Sequence, residues 1–133
     1  MAEFRLNILA PDRSTSFDAV ESVVLDASTG SLGIMAKHAD ILGELGIGTV
    51  KIRTSGEEKL LAVAGGFFEM YQGELTILAD AYETPGEIDT RRAEEAKARA
   101  EERMKKSADI DFDRARIALM RAINRLRVAK KPI

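Results

Sequence analysis

The strongest constraint in this 133-residue chain is a single break at Thr84-Pro85-Gly86, where glycine content, charge sign and hydrophobic periodicity change together. All ten glycines lie at or before Gly86. Residues 1–86 hold thirteen acids against six Lys and Arg, a balance of −7, and residues 87–133 hold nine against fourteen, a balance of +5. A turn-rich acidic stretch followed by a glycine-free basic one does not read as one continuous architecture. The sequence therefore predicts two domains, 1–86 and 87–133.

The first domain reads as β. Phe4, Leu6, Ile8 and Ala10 alternate with Arg5, Asn7 and Leu9, the period of a half-buried strand. Ser22 to Ala27 is a short β-branched run closed by Ser28-Thr29-Gly30, and Val50, Ile52 and Thr54 alternate with Lys51 and Arg53. Turns follow at Ser55-Gly56, Gly65-Gly66 and Gln72-Gly73, separating the apolar runs Lys59–Ala64, Phe67–Tyr71 and Leu75–Tyr82. Turn signals at this spacing belong to a sandwich or barrel. Phe67 and Phe68 point to opposite faces of one strand, so at least one enters the core.

No catalytic constellation appears. The chain has no Cys, which removes disulfides, thiolate nucleophiles and Cys-based zinc sites. It has one His, His38, which removes a multi-histidine metal site and, lacking triad partners at a known spacing, reads as a loop residue. Gly43, Gly46 and Gly48 are followed by no GxxxxGK[ST] and lack the third glycine of a dinucleotide fingerprint, so they read as a turn. No run approaches the ~20 apolar residues of a membrane span, and the first residues lack a signal-peptide layout.

The second domain reads as two helices in an antiparallel hairpin. Ile88 to about Lys105 is rich in Ala, Glu, Lys and Arg, with Asp89 as its cap. Ser107 to Asp111 interrupts it, and Phe112, Ala115, Leu119, Ala122, Leu126 and Ala129 then form an apolar seam at 3-4-3-4-3 spacing. On the first helix the matching face is only Ala93, Ala96 and Ala100. At ~25 cal/mol per Å2 an alanine seam contributes far less than a leucine seam, so the hairpin is expected to be weakly held.

Arginines line the same helices. Asp89, Arg92, Arg99 and Arg103 share one stripe with Ala96, and Arg114, Arg121 and Arg125 share another. Guanidiniums that converge between paired helices suit an anion, phosphate above all. Ordinary solvated charges with i,i+4 partners, such as Glu101 with Lys105, account for the same residues equally simply. Interleaved acids, 5% aromatics and a pI near 5.5 argue against nucleic acid.

Five segments in order resemble one known family. They are Gly30-Ser31-Leu32-Gly33-Ile34 with His38; Gly65-Gly66-Phe67-Phe68-Glu69-Met70; Leu75-Thr76-Ile77-Leu78-Ala79; Asp111-Phe112-Asp113-Arg114-Ala115; and Arg121 through Ala129. Together they resemble the epsilon subunit of the bacterial rotary, F-type ATP synthase, called delta in mitochondria. The resemblance implies an N-terminal β-sandwich of about ten strands and a C-terminal helical hairpin. It implies a central-stalk rotor subunit, not an enzyme in itself, whose partners are the gamma subunit and the c-ring. The extended hairpin would reach the catalytic alpha/beta head and block ATP hydrolysis there. The implied place is the cytoplasmic side of the bacterial cell membrane, peripherally.

Some members of that family bind ATP as a regulatory ligand through a motif I(L)DxxRA, which Ile88-Asp89-Thr90-Arg91-Arg92-Ala93 satisfies. By this resemblance Glu83, Ile88, Asp89 and Ala93 would lie on the adenine-ribose side, and Arg92, Arg99, Arg121 and Arg125 would take the phosphates. No metal held by the protein is expected. A rotor coupling module without a nucleotide site is the alternative. Two departures stand out: Met35-Ala36-Lys37 precedes His38 where the family usually carries LPGH, and Ser31 stands where an acid is common.

Overall fold

Alternating apolar residues close into a ring of strands. The computed structural model describes residues 2–106 and 109–130. Its strands are β1 (Phe4–Ala10), β2 (Arg13–Ala27), β3 (Gly30–Met35), β4 (Ile41–Thr54), β5 (Glu57–Tyr71), β6 (Glu74–Ala79) and β7 (Tyr82–Glu83). The order β1-β6-β5-β4-β2 returns to β1 through a β1–β2 pairing, with β3 beyond β2 and β7 on β5. A ring of this kind hides strand edges that would otherwise recruit other chains. Inside it Leu6, Ile8, Val23, Leu25, Phe68 and Ile77 are at most 2% exposed.

The fold is the expected mainly β sandwich followed by a helical hairpin, with the strand pieces joined up. β2 pairs β1 over its first half and β3 and β4 over its second. β5 pairs β4 along its length and β6 near its end. The strands therefore bend from one layer to the other, and about ten pieces become seven continuous strands. Gly65-Gly66 is accordingly not a turn but a kink inside β5, with φ of 99° and 134°. A side chain on Gly66 would overlap the Leu78 carbonyl. Gly43, Gly46 and Gly48 likewise lie within β4, not in a turn. Gly43 leaves room for the Phe68 ring, and Gly48 for the Asp26 carboxylate. The turns at Ser55-Gly56 and Gln72-Gly73 do form, with positive φ at both residues of each. Ser31 and Met35, two of the departures from the family pattern, belong to β3.

A single 3-10 turn, Pro85–Glu87, leads to α1 (Thr90–Lys106) and α2 (Asp109–Ala129). Asp89 caps α1 as expected, its Oδ1 accepting the Arg92 N–H at 3.1 Å. Ser107 and Ala108 lie outside the described residues; Asp109 and Asp111, expected in the interruption, belong to α2. Ala93 and Ala100 of α1 and Ala115, Ala122 and Leu126 of α2 are buried. Phe112, more than four turns before the docked end of α2, is 38% exposed, so the seam does not extend that far. The docked end itself is apolar: Val128 is fully buried against Leu60, Ala62 and Ile88.

Candidate functional site

The face of α2 that meets the sandwich repeats at three and four residues: Arg121, Asn124, Arg125 and Val128. Val128 packs in the apolar cluster, which sets how deeply the helix sits. Asn124, 4% exposed, donates from Nδ2 to the Gly48 carbonyl at 2.7 Å and accepts from Arg127 Nη2 at 3.0 Å. Arg125 meets Glu83 as a two-pronged pair, Nε to Oε1 at 2.7 Å and Nη2 to Oε2 at 3.1 Å. Both side chains are 30% exposed, which leaves the pair half-desolvated and geometrically fixed.

Beside this contact lies an open cleft of about 520 Å3. That is within the roughly 300–1,000 Å3 typical of ligand sites. Its walls come from every layer: Ile47 and Ala64 from the sandwich, Asp80 and Glu83 from the end of the sheet, Ala96 from α1, and Arg121 and Arg125 from α2. The floor is apolar and the helix side is cationic, an arrangement suited to a ligand with a flat apolar part and an anionic tail.

The eight residues singled out in the sequence separate into three groups. Glu83, Arg121 and Arg125 line the cleft. Arg92 and Arg99 lie exposed on α1, one turn either side of the lining residue Ala96, and are not themselves among the residues that line the cleft. The guanidiniums of Arg92, Arg99 and Arg121 make no hydrogen bond or ion pair among the described residues, so neither carboxylates nor carbonyls neutralise them. Ile88 is buried in the docking cluster, Asp89 caps α1, and Ala93 is fully buried between the helices. None of these last three is among the residues that line the cleft.

Two features escaped the sequence reading. One is Asn124, whose only signal was an amide among Ala122, Leu126 and Val128 where the pattern called for an apolar residue. The other is a cluster at the domain junction. Arg13 Nη1 pairs with Glu87 Oε2 at 3.0 Å, and the guanidinium lies 4.4 Å above the Tyr82 ring. The Tyr82 hydroxyl meets Thr15 Oγ1 at 3.0 Å, and Glu87 Oε1 accepts the Thr84 N–H at 2.9 Å. That N–H first, and Arg13 second, hold the Glu87 carboxyl below its usual range. The hydrogen bond that Arg13 donates to Glu87 in turn raises the pKa of the guanidinium.

A second surface lies on the sandwich. Phe67 pairs with Leu78 and Leu78 with Leu9, a cross-strand row over β5, β6 and β1 whose members are 54%, 51% and 40% exposed. Leu42 and Tyr71 are exposed on the neighbouring β4 and β5. Phe68, by contrast, is buried, so the two phenylalanines divide between core and surface as expected. Contiguous apolar area of this kind marks a protein-binding face.

Comparison with known proteins matches the chain to two family descriptions. Residues 3–85 match the family described as ATP synthase, Delta/Epsilon chain, beta-sandwich domain, and residues 87–130 match ATP synthase, Delta/Epsilon chain, long alpha-helix domain. The chain is similar to the ATP synthase epsilon chain of Caldicellulosiruptor saccharolyticus, 45% identical over 132 residues, covering 98% of this chain and 96% of that one. It is similarly related to the ATP synthase epsilon chain of Bacillus pumilus, 44% identical over 131 residues, covering 98% and 100%. Among solved structures, the fold resembles a chain of the Euglena gracilis mitochondrial ATP synthase assembly of OSCP, F1 and c-ring. There the TM-score is 0.84 at 19% identity, over 93% of this chain and 79% of that one.

Proposed function

Because the chain belongs to the delta/epsilon family of ATP synthase subunits, we propose that it couples gamma to the c-ring in the central stalk and restrains ATP hydrolysis with its hairpin. The apolar row Leu9, Leu78 and Phe67 is the face offered to gamma, because it is a continuous cross-strand run of exposed apolar side chains on the closed ring. The complex is membrane-bound, and this subunit sits peripherally on its cytoplasmic side; no described helix is long and apolar enough to span a bilayer. The subunit performs no chemistry of its own. When the hairpin leaves the sandwich it extends along gamma toward the alpha/beta head, where its basic helices meet the catalytic subunits.

ATP is the ligand proposed for the cleft, and it stabilises the docked hairpin. The observation that supports this is the meeting of Arg121 and Arg125 with an apolar floor in one open cleft, with Arg92 and Arg99 exposed on α1 one turn either side of its lining residue Ala96. The phosphates take these four guanidiniums, which come from both helices, and thereby tie α1 to α2 and both to the sandwich. Glu83 and Asp89 lie on the sugar side, over the apolar ground formed by Ile88 and Ala93. A ligand that binds only the docked state favours it by RT ln(1 + [L]/Kd), about 2.7 kcal/mol at 100 Kd. That is enough to move a hairpin whose two states differ by a few kcal/mol.

Titration calorimetry of the isolated chain with ATP, ADP and GTP tests the reading. ATP binding that falls at least tenfold in Arg121→Ala is expected. Absence of heat with every nucleotide overturns the ligand and leaves a coupling module whose Arg125 is satisfied by Glu83 alone.

A further inference from the structure

The one buried side-chain amide on α2 grips a peptide that the sandwich grips from the other end. The peptide is the one joining Gly48 to Thr49 in β4. Its carbonyl accepts Asn124 Nδ2 at 2.7 Å, and its N–H donates to Asp26 Oδ2 at 2.8 Å. Thr49 Oγ1 adds a second donor to the same carboxylate oxygen at 3.2 Å. The carboxylate can come this close because residue 48 has no side chain; a Cβ there would overlap it.

The place where this happens is a discontinuity in the sheet. Leu25 pairs with Val50, but the next paired residue of β2, Ala27, meets Leu45, so four residues of β4 pass a single residue of β2, Asp26. The ladder between β4 and β5 runs on unbroken through Ile47, Gly48 and Thr49. The Asp26 side chain therefore fills a gap left by the β2 backbone and fixes the tilt of the Gly48–Thr49 peptide. An ionised acceptor on the N–H polarises the amide and strengthens its carbonyl as an acceptor.

We infer that Asn124 is the positioning residue of the hairpin: it reads the Gly48–Thr49 peptide, and so fixes where α2 docks and where Arg121 and Arg125 point. Val128 supplies burial, yet an apolar contact tolerates sliding and rolling of a helix. A single amide bonded to one carbonyl does not, because a shifted helix leaves both groups buried and unpaired. Arg121 and Arg125 flank Asn124 at −3 and +1, so the roll that satisfies the amide also sets both guanidiniums at the cleft. Among the described residues Asp26 hydrogen-bonds to Thr49 alone, so it acts on docking through the peptide it holds.

The test uses the full chain, which has no native cysteine, with paired spin labels at Asp12→Cys and Glu94→Cys to read the distance between sandwich and α1. Asn124→Leu keeps the branched shape and heavy-atom count and removes the donor; the undocked share is expected to rise about tenfold, the usual scale for a buried hydrogen bond. Asp26→Asn is expected to give a smaller rise, two- to threefold, and to add nothing in the Asn124→Leu background. The thermal transition of the sandwich, followed in parallel, shows that each variant is folded. Unchanged distances in Asn124→Leu overturn the inference, as does an Asp26→Asn effect of full size in the Asn124→Leu background. The effect on Arg121 and Arg125 rests on the ATP reading above, so ATP is titrated into the same labelled proteins. If ATP binds none of them, the nucleotide proposal fails, while the distances still decide the role of Asn124.

Discussion

In the sandwich, Leu6, Ile8, Leu25, Phe68 and Ile77 are all but sealed from water, whereas the contact between α1 and α2 is made largely by Ala93, Ala100, Ala115 and Ala122. A fully buried Leu or Phe contributes roughly 1.5–3 kcal/mol and an alanine methyl far less. The second region is therefore held with a fraction of the hydrophobic driving force. What the hairpin lacks in burial it makes up in specific polar contacts, Asn124 to Gly48 and Arg125 to Glu83, each single and each breakable. A closed ring of strands has no partial state of comparable energy. A helix pair held at a few points does, as the proposed regulatory role requires.

The largest test of this contrast is Phe68→Ala. It empties the space over Gly43 and is expected to cost about 3–5 kcal/mol of sandwich stability in denaturant unfolding. Leu126→Ala, on the helix seam, is expected to remove about 2 kcal/mol from the hairpin alone and leave the sandwich midpoint in place. Probes on a strand and on α1 separate the two. If Leu126→Ala shifts both transitions equally, the regions unfold as one unit and the contrast is broken.

Next in size is Arg125→Ala. With both partners 30% exposed, solvent screening limits the loss to about 1 kcal/mol of docking. The measurement that sharpens the comparison is its salt dependence. Docking of the unsubstituted chain should weaken between low and high ionic strength, docking of Arg125→Ala should weaken much less, and the sandwich midpoint should move in neither.

The same contrast explains what could be read from the residues. Strands of period two, turns at Ser55-Gly56 and Gln72-Gly73, and the Ala93-Ala96-Ala100 face were legible because each is a local pattern with a local cause. The glycines misled: Gly48 and Gly66 look like turn residues in one dimension, and only the approach of Asp26 and of the Leu78 carbonyl shows that they thin a strand. Helical arithmetic placed Arg121 and Arg125 on one stripe, and both do line the cleft. It could not pair Arg125 with Glu83 or Asn124 with Gly48, since those contacts span 42 and 76 residues and depend on how the hairpin lies against the sheet.

The smallest expected effect concerns where one region ends and the other begins. Glu87 follows the break in sequence, yet it bonds to Arg13 of β2 and to Thr84, which ties the turn Pro85–Glu87 mechanically to the sandwich. Its carboxyl is held below the usual 4.5 by the Thr84 N–H and by Arg13. A carboxyl depressed on folding contributes stability that is complete above the unfolded value and fades as pH falls through the folded one. Protection of the Thr84 amide against hydrogen exchange, corrected for intrinsic rate, should therefore hold steady above about pH 4.5 and decline below it. In Glu87→Ala it should be low throughout and flat, while the amides of α1 beyond Arg92 are unchanged at neutral pH. That outcome puts the pivot of the hairpin at Ile88-Asp89, after the anchored turn. Loss of α1 protection together with Thr84 would instead make the turn part of the moving arm.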